Sequence, residues 1–133
     1  MRARLAAAWT LGFALLVGSL PVIAHHSFAA EFDADKPLKL TGAITKVEWT
    51  NPHVWFYMDV RDEAGRTVNW AMEMGSPNGL LRGGWTRNSL KLEDIVTVEG
   101  FASRDKSNTG NASVVVLART GQKLFTGSSG PTQ

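Results

Sequence analysis

Two runs of alternating apolar residues joined by a short turn constrain this chain more than any other feature. Over residues 53–60, Val54, Phe56, Met58 and Val60 share one parity, and His53, Trp55, Tyr57 and Asp59 share the other. Over residues 66–74, Val68, Trp70, Met72 and Met74 repeat the pattern against Thr67, Asn69, Ala71 and Glu73. Side chains two apart lie on the same side of an extended chain, so each run predicts a strand with one buried face. Asp62-Glu63-Ala64-Gly65 lies between the runs and has the composition of a turn, which makes the two strands a hairpin.

The flanking segments extend this β pattern. Leu38, Leu40, Gly42 and Ile44 form one face of a preceding strand, and Val47 and Trp49 continue on the opposite parity. That slip predicts a bulge near Thr45-Lys46, and Gly42 predicts a bend. Asn51-Pro52 ends the strand, because proline donates no ladder bond and restricts the residue before it. Ser76 reads as a helix N-cap with Pro77 at the first helical position, opening a short helix through Leu80 and Leu81 that Gly83-Gly84 closes. A fourth strand is expected over 95–102 and a fifth, rich in β-branched residues, over 112–118, with a polar loop between them. Three strands, a short helix and two more strands match an all-β fold, a small five-stranded OB-like Greek-key barrel. An open β-sandwich is the alternative, but an immunoglobulin-like one needs about seven strands.

The N-terminus has a different character. Arg2 and Arg4 precede an apolar run from Leu5 to Leu20, followed by Pro21-Val22-Ile23-Ala24. A charged start, an apolar middle and small residues at Val22 and Ala24 are the order of a signal peptide, which predicts cleavage before His25. The competing reading, an uncleaved anchor, is disfavoured because the run is short and contains Gly12 and Gly18. The expected organisation is a signal peptide over 1–24, an N-terminal arm over 25–37, the barrel over 38–125 and a disordered tail over 126–133. Location is therefore expected to be periplasmic or secreted, with no membrane association once the leader is removed. The chain contains no cysteine, which excludes a lipid anchor, a disulfide or a thiolate metal site. Its net charge of +2 comes from the leader: the 14 basic residues include Arg2 and Arg4, and the remainder balance the 12 acidic ones. A neutral body lacks the cationic surplus that drives nucleic-acid binding.

Two groups of residues could carry function. The three histidines are His25 and His26 at the expected mature terminus and His53 at the start of the second strand. Cleavage after Ala24 would give His25 a free α-amine beside its imidazole, a chelate that with His53 or His26 would suit copper(II). Met58, Met72 or Met74 could add a thioether for copper(I). The bland alternatives are a solvated His-His terminus, a His53 ring bonded to turn carbonyls, and methionines that simply fill the core.

The second group is aromatic. Trp49 and Trp70 fit the core by parity, whereas Trp55 and Tyr57 fall on the outer face, where an OB barrel commonly presents ligand sites. With Asn51, Glu73 and Trp85 they form a candidate binding surface for a sugar, a base or another planar small molecule. Alternatively, the N-terminal arm or Lys123-Leu124-Phe125 covers them. Phe28 and Phe32 are spaced to meet across one helical turn and pin the arm to the body.

Catalysis finds little support in these residues. Glu48, Asp59 and Glu73 could pair on adjacent strands, but such acids are usually solvated. No serine stands at a recognisable spacing from a histidine, no phosphate-binding loop is present, and Asn111-Ala112-Ser113 is a glycosylation acceptor only in a eukaryotic setting.

The stretches His25-His26-Ser27-Phe28-Ala29, Glu48-Trp49-Thr50-Asn51-Pro52-His53-Val54 and Glu73-Met74-Gly75-Ser76-Pro77-Asn78-Gly79-Leu80 resemble a family of small exported bacterial proteins classed only as a domain of unknown function. The resemblance implies export and a single β-rich domain and carries over no catalytic residue. The expected function is thus an exported, non-enzymatic binding module. Its alternatives are a periplasmic copper-binding protein using the histidines, and an interaction subunit that docks a larger exported enzyme through Trp55, Tyr57 and Trp85.

Overall fold

The computed structural model describes residues 27–127. The expected signal peptide, His25 and His26, and residues 128–133 of the expected tail lie outside the described residues. In chain order the elements are α1 (Phe28–Glu31), β1 (Phe32–Glu48), β2 (Trp55–Arg61), β3 (Thr67–Glu73), α2 (Pro77–Arg82), β4 (Ile95–Ser103), β5 (Thr109–Leu117) and β6 (Lys123–Phe125). No helix among the described residues is long and apolar enough to cross a membrane.

The strands form one sheet in the order β3-β2-β1-β4-β5-β6, and β3 also pairs in parallel with β5. That last pairing, Ala71 to Glu73 against Thr109 to Asn111, joins the two sides of the sheet so that β1 to β5 close into a barrel-like ring. The other neighbours are antiparallel. The expected all-β class with one short capped helix is thus what the chain adopts, with a second single-turn helix and a sixth strand added.

The alternation in β2 resolves as expected: Val54, Phe56 and Met58 are fully buried and Val60 nearly so. They meet Ile44, Met72, Met74, Leu80, Trp85, Leu90, Val96, Val98, Ala112, Val115, Leu117 and Leu124 in one core, with Trp49 and Trp70 packed against it half-buried. The pairing of β1 with β2 shifts register between Ile44 and Lys46, at the expected bulge. At Gly42 a Cβ would stand 2.9 Å from the carbonyl carbon of Asp59, so β1 approaches β2 there more closely than any side chain permits. Helix α2 has Ser76 as N-cap, its Oγ accepting from Gly79 N–H at 3.2 Å, with Pro77 opening the first turn and Gly83 at the C-cap.

Three boundaries differ from the sequence reading. β1 starts at Phe32 rather than Leu38, so half of the expected arm is strand, with a register irregularity between Phe32 and Pro37 where it meets β4. Lys123–Phe125 is an edge strand that pairs with β5 through Val115 and Leu124, so it is spent on β5 and does not serve as a cover for Trp55 and Tyr57. Thr126, assigned to the tail by composition, is fully buried and its hydroxyl donates to the Ala112 carbonyl.

The arm is pinned as its spacing suggested. The rings of Phe28 and Phe32 lie 5.7 Å apart, and Phe28 meets Phe101 of β4 edge-on at 5.5 Å. Arg104 reinforces the contact, its Nε donating to the Ala29 carbonyl at 2.7 Å and its backbone N–H to the Glu31 carbonyl at 2.9 Å.

Candidate functional site

The hairpin continues beyond its formal strands, because Val54 N–H donates to the Gly75 carbonyl and Met74 N–H donates to the Val54 carbonyl. This extension places His53 beside Glu73, whose residue stands opposite Trp55 in the β2–β3 register. The imidazole Nδ1 of His53 meets the Glu73 carboxylate at Oε1. With the glutamate ionised, Nδ1–H donates to the carboxylate, and Nε2, across the ring, is then the nitrogen that carries the lone pair of a neutral imidazole.

The pair lines a cavity of about 200 Å³ together with Phe28, Glu31 and Phe32 from the arm, and with Met74, Gly75, Ser76, Asn111 and Gly127. Each wall has a structural cause. The aromatic pin holds α1 near the C-terminal end of β3, the parallel β3–β5 pairing sets Asn111 against Glu73, and Gly75 N–H is tied to the Thr126 carbonyl at 3.1 Å. Glu73 is only 4% exposed although it lies on the parity that sequence alone assigns to the outside. The arm and β5 cover that end of the face. His53 keeps 40% of its side chain exposed and so connects the buried carboxylate to solvent.

Among the expected ligand residues that the structure describes, His53 and Glu73 line this cavity together, whereas Trp55, opposite Glu73 in the register, lines another. Asn51 is exposed in the bend before the cis Pro52 and does not line the cavity. Trp85 is 1% exposed at the centre of the core, where its Nε1 donates to the Phe125 carbonyl at 2.8 Å. This corrects its place among the surface aromatics: it offers no ring to a ligand or a docking partner. Of the three methionines considered as thioether donors, Met58 and Met72 are core residues and Met74 lines the cavity. Phe28, Glu31 and Asn111 are lining residues that sequence reasoning did not select. Among the described residues no three of His, Cys, Asp and Glu cluster closely enough to hold a metal ion by themselves.

The outer aromatics occupy different surroundings. Tyr57 is half-buried, donates to Glu48 at 3.0 Å and carries the Lys46 ammonium 5.1 Å from its ring centroid. The Lys46 ammonium, hydrogen-bonded to Glu48, holds that carboxyl below its ordinary range, with Tyr57 adding to the effect. Burial and the Glu48 carboxylate raise the Tyr57 phenol in turn, so it stays a donor. Asp59 is engaged separately, accepting from Asn69 Nδ2 at 2.8 Å. The three acids considered as a catalytic set therefore serve three distinct local networks.

Trp55 lines a second, wider cavity of about 450 Å³ with Ala30, Glu31 and Phe32 from the arm and Ser103, Arg104, Asp105, Ser107 and Thr109 from the β4–β5 loop. Asp105 organises that loop by accepting from Ser103 Oγ at 2.6 Å and Ser107 N–H at 2.8 Å. The Ser103 and Ser107 hydrogen bonds bring its carboxyl to about 2. A carboxyl lowered in the fold lends stability that is complete above the ordinary carboxylate range and is lost as the pH falls through the folded value. Amide exchange at Ser107 is therefore expected to keep its protection at pH 4 and lose it as the pH approaches 2. An Asp105→Asn chain should show weaker protection already at neutral pH. Loss of protection near pH 5 in the parent chain would contradict this account.

No curated protein matches the chain. A family model described only as a family of unknown function, DUF6152, matches residues 14–114, which span the cavity-forming segments from the arm through most of β5. A match over most of the chain settles membership, and the protein belongs to the DUF6152 family.

Proposed function

We propose that this protein is an exported, non-enzymatic binding module, periplasmic or secreted, whose ligand site is the His53–Glu73 cavity beneath α1. The observation that carries the reading is a carboxylate almost wholly withdrawn from water and matched to a half-exposed imidazole. Burying a carboxylate costs several kcal/mol, on the order of what a small domain has to spare, and folds tolerate it chiefly where the charge has a task. Export rests on the leader, whose charged, apolar and small-residue zones stand in the order the translocation machinery reads. Binding rather than catalysis is favoured by the lining groups. Ser76 is the one hydroxyl-bearing residue among the lining residues described, and its oxygen is engaged as the cap of α2. No activated nucleophile is thereby formed.

The test is native mass spectrometry of untagged protein recovered from the periplasm of a producing bacterium, with its N-terminus sequenced. The expected result is a chain beginning at His25 that carries a non-covalent adduct, and a His53→Ala chain that is folded and lacks it. Precursor retained in the cytosol, or a bare mass for the parent chain, would overturn the proposal.

A further inference from the structure

We infer that the wider cavity around Trp55 is a second ligand site and that it takes a neutral saccharide, one pyranose ring packed against the indole with its hydroxyls on the β4–β5 loop. Trp55 is the starting point. Trp85 lies in the core and Trp49 and Trp70 pack against it, whereas Trp55 stays half-exposed outside that cluster. Its side chain lines the cavity of about 450 Å³ between the arm and the β4–β5 loop, a volume inside the roughly 300–1,000 Å³ that holds small molecules. An indole so placed offers a rigid, electron-rich apolar surface with few rotatable bonds to order on binding.

The polar groups beside the ring select among ligands that have a flat apolar face. The Asp105 carboxylate only accepts hydrogen bonds, the Arg104 guanidinium only donates them, and the hydroxyls of Ser107 and Thr109 do both. A ligand that satisfies this set carries donors and acceptors side by side around an apolar face. A pyranose does so, because each hydroxyl donates and accepts while the ring C–H bonds make the face. A nucleotide suits the set badly, since its phosphate would meet the carboxylates of Asp105 and Glu31 against one guanidinium. The loop is also held in place by the protein itself. Ser103 Oγ and Ser107 N–H both donate to Oδ1 of Asp105, at 2.6 and 2.8 Å, which orients the carboxylate and leaves acceptor capacity on the group. Arg104 is anchored through Nε to the Ala29 carbonyl and through its backbone N–H to the Glu31 carbonyl, so the loop and the arm are tied to each other. Lys106, at a φ of +63°, makes the left-handed turn between them and Ser107. Groups fixed beforehand lose little freedom when a ligand arrives. His53 is not among the residues lining this cavity, so the site stands apart from the His53–Glu73 one.

The experiment titrates maltose, mannobiose and di-N-acetylchitobiose, neutral disaccharides of three common pyranoses, into untagged isotope-labelled protein and follows the indole N–H and backbone amide resonances. At least one sugar is expected to bind with a Kd of about 1 mM or tighter. It should shift the Trp55 indole together with the amides of Ser107 and Thr109, and leave Asp59 and Asn69, farther along the same hairpin, in place. Trp55→Ala should weaken that binding by about 10-fold or more, and Trp55→Phe by less, since a phenyl ring keeps a stacking face. His53→Ala should leave it unchanged, so sugar binding that survives in a chain lacking the periplasmic adduct separates this site from the first cavity. The shift map is read on the parent chain, which keeps the inference testable even where a variant folds poorly. Shifts that gather around His53 or elsewhere than Trp55 would overturn it, as would equal affinity in the parent and Trp55→Ala chains. A response to adenosine monophosphate with none to the sugars, or no shift with any of the three sugars at about 10 mM, would overturn it too.

Discussion

Replacing Trp85 by alanine is expected to remove about 3–5 kcal/mol of folding stability, the cost of emptying a large aromatic site in a packed core. A domain of this size has about 5–15 kcal/mol in total, so the variant should sit near the edge of folding. Trp85 is 1% exposed and lies in the irregular segment between α2 and β4, where it reaches Leu80 through a backbone bond, Trp85 N–H to the Leu80 carbonyl at 3.0 Å. Its indole also donates to the Phe125 carbonyl, which fixes the short strand β6 against the ring. Trp85→Phe separates the two contributions. It keeps most of the buried ring and leaves the Phe125 carbonyl without its indole donor, at a cost of about 1–3 kcal/mol. Urea denaturation of the three chains should rank parent, Trp85→Phe, Trp85→Ala in falling order of stability. Alanine costing under about 1 kcal/mol would mean that the indole is not the centre of the core.

Trp85 also marks where the sequence stops being informative. The hairpin was legible because Val54, Phe56, Met58 and Val60 repeat at the strand period, and a face repeated at that period has one way to be buried. The bulge after Ile44 and the capped helix at Ser76-Pro77 were legible for related reasons, a change of parity and a pair of residues with one good helical use. Trp85 belongs to no periodic segment, so its aromatic character fits a surface site or a core equally well, and tertiary packing decides. Lys123–Phe125 has a single core residue, Leu124, and becomes a strand only because β5 offers it an edge.

The candidate site was legible in its members and not in their assembly. His53 and Glu73 each stood out, but one was read with the N-terminal histidines and the other with the outer aromatics. Counting outward from the Asp62–Gly65 turn pairs Trp55 with Glu73 and sets His53 next to that pair, a signal present in the sequence. What no local pattern carries is the burial of Glu73. That depends on a parallel pairing between β3 and β5, far apart in sequence, and on an arm held down by Phe28 and Phe101. Outer parity on a strand means solvent only where nothing else is laid across it.

The β5 side of that cover leads to the second large effect, which is expected at a position with no side chain at all. Gly100→Ala should destabilise the protein by about 3 kcal/mol or more, beyond the usual range for an added methyl group because the obstacle is backbone. A Cβ at Gly100 would fall inside the Asn111 carbonyl group, 2.9 Å from its carbon, and 3.1 Å from the Ala112 α-carbon. Neither atom can move without separating β4 from β5, at the point where their register already shifts between Glu99 and Gly100. Gly84→Ala is the informative comparison. That glycine has a φ of +92° and open space around its Cβ position, so alanine there meets only the left-handed backbone penalty, roughly 1–2 kcal/mol. The two variants differ further in what they do to the cavity. Asn111 pairs with Glu73 across β3 and β5, so forcing β4 from β5 at Gly100 displaces a cavity wall, whereas Gly84 lines neither cavity described. The His53 imidazole resonance should therefore shift in Gly100→Ala and stay in place in Gly84→Ala, each recorded under conditions where the chain remains folded. Equal stability losses in the two variants, with the His53 resonance unmoved in both, would show that β4 and β5 are not locked together at this glycine.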